Sequence, residues 1–210
     1  TFGWSFLQKP IADQPPFGAL FKWAFGADWN WKDFDFDRDM PILDARLDPI
    51  VNDATRGSLA PFANRGGKLI VFHGYADTLV PPGQSVAFFD LHAREMGGAA
   101  KLADSARLFM VPGMMHCGGG TGPDSFNTTL GIPPRPPSED PEHDLFSALI
   151  AWTDKGNAPA RVTATKFSSE DAGKIDMQRP LCPYPQRAVY RGFGSTSAAS
   201  SFRCEALLEP

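Results

Sequence analysis

At residues 68–77 the sequence reads Lys68-Leu-Ile-Val-Phe-His-Gly-Tyr-Ala-Asp77, and at residues 107–117 it reads Arg107-Leu-Phe-Met-Val-Pro-Gly-Met-Met-His-Cys117. Each segment begins with a short apolar run that is typical of a buried strand, and we expect the first to be a fully buried central strand. Between them, Pro82 can open a helix whose apolar residues recur at helical spacing until Gly97-Gly98 ends it. Strand, helix and strand in this order predict a βαβ unit of a parallel sheet with a right-handed crossover.

An acid follows the first predicted strand, and a histidine follows the second. Because the carboxyl ends of neighbouring parallel strands meet at one edge of a sheet, Asp77 and His116 can converge there. A carboxylate held on an imidazole fixes its tautomer and stabilises the imidazolium that forms when the ring accepts a proton. The alternative is that Asp77 caps a turn and His116 is an ordinary loop histidine, and residue placement alone leaves both interpretations open.

A nucleophile for such a pair is missing from the 210 residues, which contain no Gly-x-Ser-x-Gly elbow after a strand. The segment Gly83-Gln-Ser85-Val-Ala87 comes near that pattern, but it follows two prolines and opens a helix. Ser85 also lies after Asp77, whereas this kind of fold places its nucleophile before the acid. Cys117 is an equally poor candidate, because a base directly next to it in sequence rarely faces it.

The other histidines and the acidic run at residues 33–39 indicate a metal site only weakly. We expect His73, at the end of the first strand, to be structural, and neither His92 nor His143 belongs to the H-x-x-x-H spacing of a zinc site. The run Asp33-Phe-Asp-Phe-Asp-Arg-Asp39 alternates acids as a calcium loop does. It lacks the glycine and the glutamate that such a loop needs at its sixth and twelfth positions. We therefore expect a partly exposed turn at residues 33–39.

The composition is that of a folded domain, with 42% hydrophobic and 12% aromatic residues. A formal charge of -4 without a basic block argues against nucleic acid or an anionic membrane as a partner. No apolar run approaches the roughly 18 residues that span a bilayer, and no signal peptide is visible. The first residue is Thr1 rather than methionine, so we expect either removal of an upstream segment or a fragment of a longer chain.

The three cysteines are an odd number. Cys182 and Cys204 lie in a tail rich in proline, glycine and serine, where a disulfide closing roughly twenty residues would add about 3 kcal/mol. Any disulfide would imply an exported protein. Cys117 is then left over beside the candidate histidine, which indicates either a partner cysteine elsewhere or a free thiol.

Several strings of residues carry a likeness to a known family: Gly66-Gly-Lys-Leu-Ile70, His73-Gly-Tyr-Ala-Asp77, Pro81-Pro82, Arg107-Leu-Phe-Met-Val-Pro-Gly-Met-Met-His-Cys-Gly-Gly-Gly120, Trp152, Gly156, Ala158-Pro159, Arg179-Pro-Leu-Cys-Pro-Tyr-Pro185, Tyr190, Gly192, Gly194 and Phe202-Arg-Cys204. With them the chain resembles the tannase and feruloyl esterase family of α/β-hydrolases over most of residues 50–205. The resemblance implies the C-terminal part of that α/β fold, built from βαβ units. Residues 1–60 would be an aromatic-rich segment that leads from a missing lid back into the core. Residues 61–210 would form the C-terminal part of that core, with a loop-rich tail held by a disulfide.

The resemblance also implies chemistry, since the family cleaves carboxylic esters of aromatic acids such as gallate and hydroxycinnamates with a serine nucleophile. Carried over by position, Asp77 is the acid of the triad and His116 is its general base. Cys117 is the cysteine bridged to one beside the serine, and Cys182–Cys204 is the C-terminal disulfide. The serine, its cysteine, the oxyanion donors and a lid with a calcium loop would all precede Thr1.

From this resemblance we expect a small aromatic ester as substrate and a secreted or periplasmic location. We expect no cofactor in this chain, although the missing lid could hold a structural calcium. We expect the chain alone to be inactive, and the missing N-terminal half is a candidate partner. Two alternatives remain. One is a binding or assembly fragment whose exposed aromatic residues dock onto another polypeptide, and the other is an α/β-hydrolase of other ester, lactone or peptide specificity.

Overall fold

The computed structural model describes residues 16–51, 57–126, 139–169, 171 and 173–206. The chain divides into two compact units, Thr1–Gly57 and Ser58–Pro210. Within the described residues, no helix is both long enough and apolar enough to cross a membrane.

The described residues of the first unit form two helices, α1 (Pro16–Phe25) and α2 (Phe36–Val51), with a 3-10 turn between them. Arg46 on α2 donates a hydrogen bond from its guanidinium to the carbonyl oxygen of Ala24 on α1. Four rings pack together in this unit with centroid separations between 4.9 and 6.5 Å. They belong to Phe21, Phe25, Trp29 and Phe34. These four aromatic residues therefore form a cluster within the first unit.

The acidic run does not form the turn that the sequence predicts, and residues 36–39 are the first turn of α2. Asp35 is the capping residue, because its Oδ1 accepts the backbone N–H groups of Asp37 at 3.0 Å and Arg38 at 2.9 Å. In return, Asp39 Oδ2 accepts the N–H of Asp35 at 2.9 Å. The turn prediction was wrong because acids that alternate with apolar residues can also satisfy the free N–H groups at a helix start.

In the part of the second unit that the structure describes, there are four more helices and six strands: α3 (Ala60–Asn64), β1 (Leu69–Gly74), α4 (Gly83–Glu95), α5 (Ala99–Leu102), β2 (Ala106–Val111), α6 (Leu145–Lys155), β3 (Val162–Phe167), β4 (Ile175–Leu181), β5 (Gln186–Tyr190) and β6 (Phe202–Ala206). Strands β1 and β2 pair in parallel from Leu69 opposite Ala106 to Gly74 opposite Val111. The helices α4 and α5 connect them. The βαβ unit predicted from the sequence is therefore confirmed.

Strand β2, and not β1, is the well-buried strand of this pair. Five of the six residues of β2 are buried, whereas β1 is of intermediate exposure until Gly74. On the side away from β1, β2 bonds to the tail, since the N–H of Tyr184 donates to Leu108 O at 2.8 Å. Among the described residues β1 pairs with β2 alone. The prediction of a fully buried first strand was therefore wrong for this structure, because burial depends on neighbours on both sides.

The core lies on both faces of β2, because successive side chains of a strand point in opposite directions. Phe109 and Val111 face one cluster, which also includes Leu145 of α6 and Val162 of β3. Ala106, Leu108 and Met110 face the other cluster, which is completed by Phe89 and Leu102. Helices therefore cover the parallel pair on both faces, as in α/β folds.

The tail consists of two antiparallel hairpin-like pairs, β3 with β4 and β5 with β6. A disulfide joins Cys182, just after β4, to Cys204 on β6, with a Cα–Cα distance of 5.5 Å and a sequence separation of 22. The predicted pairing of these two cysteines is confirmed. The bridge ties β6 to the end of β4, whose strand pair packs against the core.

Candidate active site

Two loops meet where β1 and β2 end, and hydrogen bonds between their backbones hold them together. After β1, the N–H of Tyr75 donates to Val111 O at 2.9 Å, and the N–H of Ala76 donates to Met114 O at 3.0 Å. Asp77 comes next in the first loop, and His116 lies two residues beyond Met114 in the second. The ends of two parallel strands thus bring the acid and the histidine to the same edge of the sheet.

The carboxylate of Asp77 contacts the imidazole of His116, with Oδ2 lying 2.9 Å from Nδ1. The Asp77 side chain is 4% exposed, whereas the His116 side chain is 45% exposed. An ionised carboxylate can only accept, so Nδ1 carries the proton that is donated to Oδ2. The other ring nitrogen, Nε2, is then the one that can exchange a proton with a reacting group.

The second oxygen of Asp77 is held by backbone donors. Its Oδ1 accepts the N–H groups of Leu79 at 2.8 Å and Val80 at 2.9 Å. Burial by itself would raise the pKa of Asp77. The hydrogen bonds from Val80, His116 and Leu79 outweigh burial, so the pKa of this carboxyl lies below its usual value. Asp77 is therefore an anion at neutral pH and can stabilise a positive charge on His116.

A second histidine, His73, braces the loop that holds Asp77. Its Nε2 lies 3.1 Å from Val80 O, and its Nδ1 lies 2.7 Å from the hydroxyl of Ser85. Because a carbonyl only accepts, Nε2 carries the proton and Nδ1 accepts from Ser85. His73 Nε2 also lies 3.3 Å from Asp77 Oδ2. The sequence predicted a structural His73, but it carried no signal for the contacts with Ser85 and Val80.

The loop that carries His116 is folded back on itself through close backbone contacts. The N–H of Gly122 donates to Gly113 O at 3.2 Å. A Cβ atom on Gly120 would lie 2.1 Å from Gly113 O, so only glycine allows this approach. Cys117, directly after His116, has a φ of 59°, which is uncommon for a residue with a side chain. These contacts fold the loop so that His116 and Cys117 lie near its tip.

Of the remaining sequence candidates, His92 and His143 have other hydrogen-bond partners, and Cys117 lies next to His116 in the chain. His92 bonds through Nδ1 to Glu95 on α4 at 3.0 Å, and His143 bonds to Asp140 at 2.7 Å before α6. Cys117 is a free thiol of intermediate exposure. Within the part of the chain that the structure describes, no three His, Cys, Asp or Glu side chains gather as metal ligands would.

A buried carboxylate bonded to a half-exposed imidazole, at the carboxyl edge of a parallel strand pair, can act chemically as an acid–base pair. The sequence model of the family "Tannase and feruloyl esterase" matches residues 32–205. The chain therefore belongs to this family, as the resemblance in the sequence predicted.

Individual relatives are named as esterases or hydrolases. An uncharacterised esterase of Xanthomonas campestris pv. campestris is 35% identical over 176 residues, which are 78% of this chain and 30% of that protein. A mono(2-hydroxyethyl) terephthalate hydrolase of Piscinibacter sakaiensis is 37% identical over 153 residues, which are 73% of this chain and 22% of that protein.

A solved structure has the same fold. Feruloyl esterase B from Aspergillus oryzae superposes with a TM-score of 0.76 at 25% identity, covering 89% of this chain and 36% of that chain. The chain thus spans between 22% and 36% of the length of these three proteins. The structural likeness extends over nearly all of this chain and a minor part of the whole esterase.

Proposed function

We propose that this chain supplies the acid and the general base of a serine esterase that cleaves esters of aromatic acids. The single observation that carries the proposal is the 2.9 Å contact between Asp77 Oδ2 and His116 Nδ1, with the imidazole half exposed. Membership of the tannase and feruloyl esterase family supports the reaction class.

In the proposed mechanism, a serine outside this sequence attacks the ester carbonyl, and His116 Nε2 accepts its proton. The resulting imidazolium is stabilised by the anionic Asp77, which also keeps the proton on Nδ1. His116 then returns the proton to the leaving alcohol as the tetrahedral intermediate collapses. In the second half of the cycle, His116 takes a proton from the water that attacks the acyl-enzyme and returns it to the serine oxygen as the acid is released.

We infer that the chain is the C-terminal part of an α/β-hydrolase and that the nucleophile lies on another part of the whole protein. The limited share of the relatives' length and the half-buried β1 support this inference. The free thiol of Cys117 would bridge to a cysteine beside the serine. In this proposal, residues 1–60 lead back from a lid into the core, and that lid could hold a structural calcium.

We propose small aromatic esters as substrates, because the similar proteins are named for feruloyl esters and for a terephthalate ester. The disulfide between Cys182 and Cys204 supports export to an oxidising compartment, either outside the cell or in the periplasm.

The test compares the full-length natural protein with the 210-residue chain on feruloyl, galloyl, hydroxyethyl terephthalate and aliphatic esters. The full-length protein should prefer aromatic acids, and the chain alone should be inactive. His116→Gln should lower kcat by about a thousandfold or more, whereas His143→Gln, a histidine away from the site, should leave it unchanged. Full activity of His116→Gln, or turnover of lactones alone, would contradict the proposal.

A second candidate function is assembly with another polypeptide, and exposed apolar side chains of the first unit favour it. Phe36 is 75% exposed, Ile50 is 60% exposed and Trp23 is 55% exposed. On this proposal, the partner is the N-terminal half of the enzyme, and native mass spectrometry of purified material should find it bound. A stable monomer of the 210-residue chain in native extracts would argue against it.

A further inference from the structure

A partly buried ion pair lies next to the backbone that returns from the tip of the His116 loop. Asp124 Oδ2 accepts the N–H of Gly119 at 2.7 Å. Lys166 donates from Nζ to Asp124 Oδ1 at 3.2 Å and to Gly120 O at 3.0 Å. The Asp124 side chain is 5% exposed and that of Lys166 is 26% exposed. The pair therefore holds two consecutive residues of the loop, one by its N–H and one by its carbonyl.

We propose that Asp124 and Lys166 are positioning residues that hold His116 against Asp77. The inference rests on the proposed function, in which His116 is the general base. Neither residue has a role in the triad, and the sequence carried no signal for them. They act through the backbone of Gly119 and Gly120, which follows His116 in the chain.

The pair is itself anchored to the tail by its neighbours. The N–H of Ser125 donates to Thr165 O, and the N–H of Thr165 donates to Ser125 O, both at 2.9 Å. Thr165 and Lys166 belong to β3, which pairs with β4 in an antiparallel ladder. The segment with Asp124 and the strand with Lys166 are thus one hydrogen-bonded unit, and the loop is attached to the β3–β4 ladder.

The His116 loop is therefore held from two sides. On the side before His116, Met114 O accepts the N–H of Ala76, in the loop that carries Asp77. On the side after it, the loop is held by Asp124 and Lys166. The backbone between these two attachments carries His116 at its tip. Releasing one attachment frees the imidazole to move away from the carboxylate, and a misplacement of about 1 Å can cost about a hundredfold in rate.

The first experiment measures kcat and KM of the full-length protein carrying Lys166→Met. We expect kcat to fall about 10- to 100-fold with KM within about twofold, because substrate binding is not touched while proton transfer is misaligned. Lys166→Arg keeps the charge and the donors and should restore most of kcat. Arg203→Met, which breaks the exposed pair with Glu205 on the same tail, is the matched control and should change neither constant.

The second experiment needs no catalysis and uses the 210-residue chain. The side-chain carboxyl carbon of Asp77 is followed by NMR across the acid pH range. The hydrogen bond from His116 lowers the pKa of Asp77. Lys166→Met should weaken this hydrogen bond and therefore move the titration of Asp77 to higher pH, whereas Lys166→Arg should leave it in place. If Lys166→Met does not fold, the double variant Asp124→Asn/Lys166→Met, which leaves no unpaired buried charge, should show the same shift.

The outcomes separate the two proposals. An unchanged Asp77 titration together with an unchanged kcat in a folded Lys166 variant would overturn the positioning role. A loss of stability alone, with the Asp77 titration unmoved, would overturn it as well. A shifted Asp77 titration in the 210-residue chain, together with a full-length protein that cleaves no ester, would support the positioning role and refute the esterase.

Discussion

Gly74 approaches Met114 so closely that a Cβ atom at position 74 would lie 2.2 Å from the Met114 carbonyl oxygen. This contact is where the loop of Asp77 meets the loop of His116. The same oxygen accepts the N–H of Ala76 at 3.0 Å. The distance between the acid and the histidine therefore depends on the absence of a side chain at residue 74.

Gly74→Ala should separate the two loops. We expect a loss of about 1–3 kcal/mol in the free energy of unfolding, because a methyl group must be forced into packed backbone. Catalysis by the full-length protein should fall with it. Denaturant unfolding of the 210-residue chain measures the first effect, and Gly83→Ala is the control because a methyl group at residue 83 would meet nothing within 4 Å. Equal stability of the two variants would show that the contact tolerates a side chain.

Asp77 should make stability depend on pH in the acid range. Its pKa in the folded chain lies below its value in the unfolded chain, which is about 3.9. The stabilisation is therefore fully present above about pH 4 and is lost as the pH falls through the folded pKa. Urea unfolding between about pH 2 and 6 should show that the free energies of unfolding of wild type and Asp77→Asn converge as the pH falls. A difference between the two free energies that stays constant over this range would contradict the lowered pKa of Asp77. Glu205 lies in an exposed ion pair, so Glu205→Gln is the control and should unfold with almost the same free energy as wild type.

His73 should influence catalysis through Val80 and Asp77. Replacement by leucine removes the donor to Val80 O, and we expect a loss of about 1–3 kcal/mol in stability and a lower kcat in the full-length protein. His73→Gln keeps an N–H near the Nε2 position and should recover part of both. A leucine variant with normal stability and normal kcat would contradict the bracing role.

Replacing Ser85 distinguishes a role in supporting His73 from a role as the nucleophile. Its hydroxyl lies 2.7 Å from His73 Nδ1, so Ser85→Ala should lower stability by about 1 kcal/mol and leave most of the proposed esterase activity. Stability comes from denaturant unfolding, and activity is measured on aromatic esters with the full-length protein. Complete loss of activity with normal stability would instead make Ser85 the nucleophile.

The disulfide should stabilise the tail through the unfolded state. It closes a loop with a sequence separation of 22, for which the chain-entropy model predicts about 3 kcal/mol. The double variant Cys182→Ala/Cys204→Ala should lose about this much in denaturant unfolding, and reductant should have the same effect on wild type. Cys117→Ala is the control and should make the chain no more sensitive to reductant.

The sequence allowed the acid and the histidine to be predicted because local patterns marked both. Each follows an apolar run that forms a strand, and parallel strands bring their carboxyl ends to one edge. The contacts of His73 with Ser85 and of Lys166 with Asp124 could not be predicted, because neither pair has a recognised spacing. The cap of α2 by Asp35 was missed for a different reason: alternating acids are compatible with both a turn and a helix start.

By itself the sequence determined the order of strand, helix and strand, the two residues at the strand ends and the cysteines that pair in the tail. Those features follow from hydrophobic periodicity, turn residues and residue type, all of which act over short distances along the chain. Tertiary structure decided that β2 is buried while β1 is not, and that Gly74 lies against Met114 O. It also decided which polar groups support Asp77 and His116. Such contacts join residues far apart in sequence, so they exist only once the packed chain has brought those residues together.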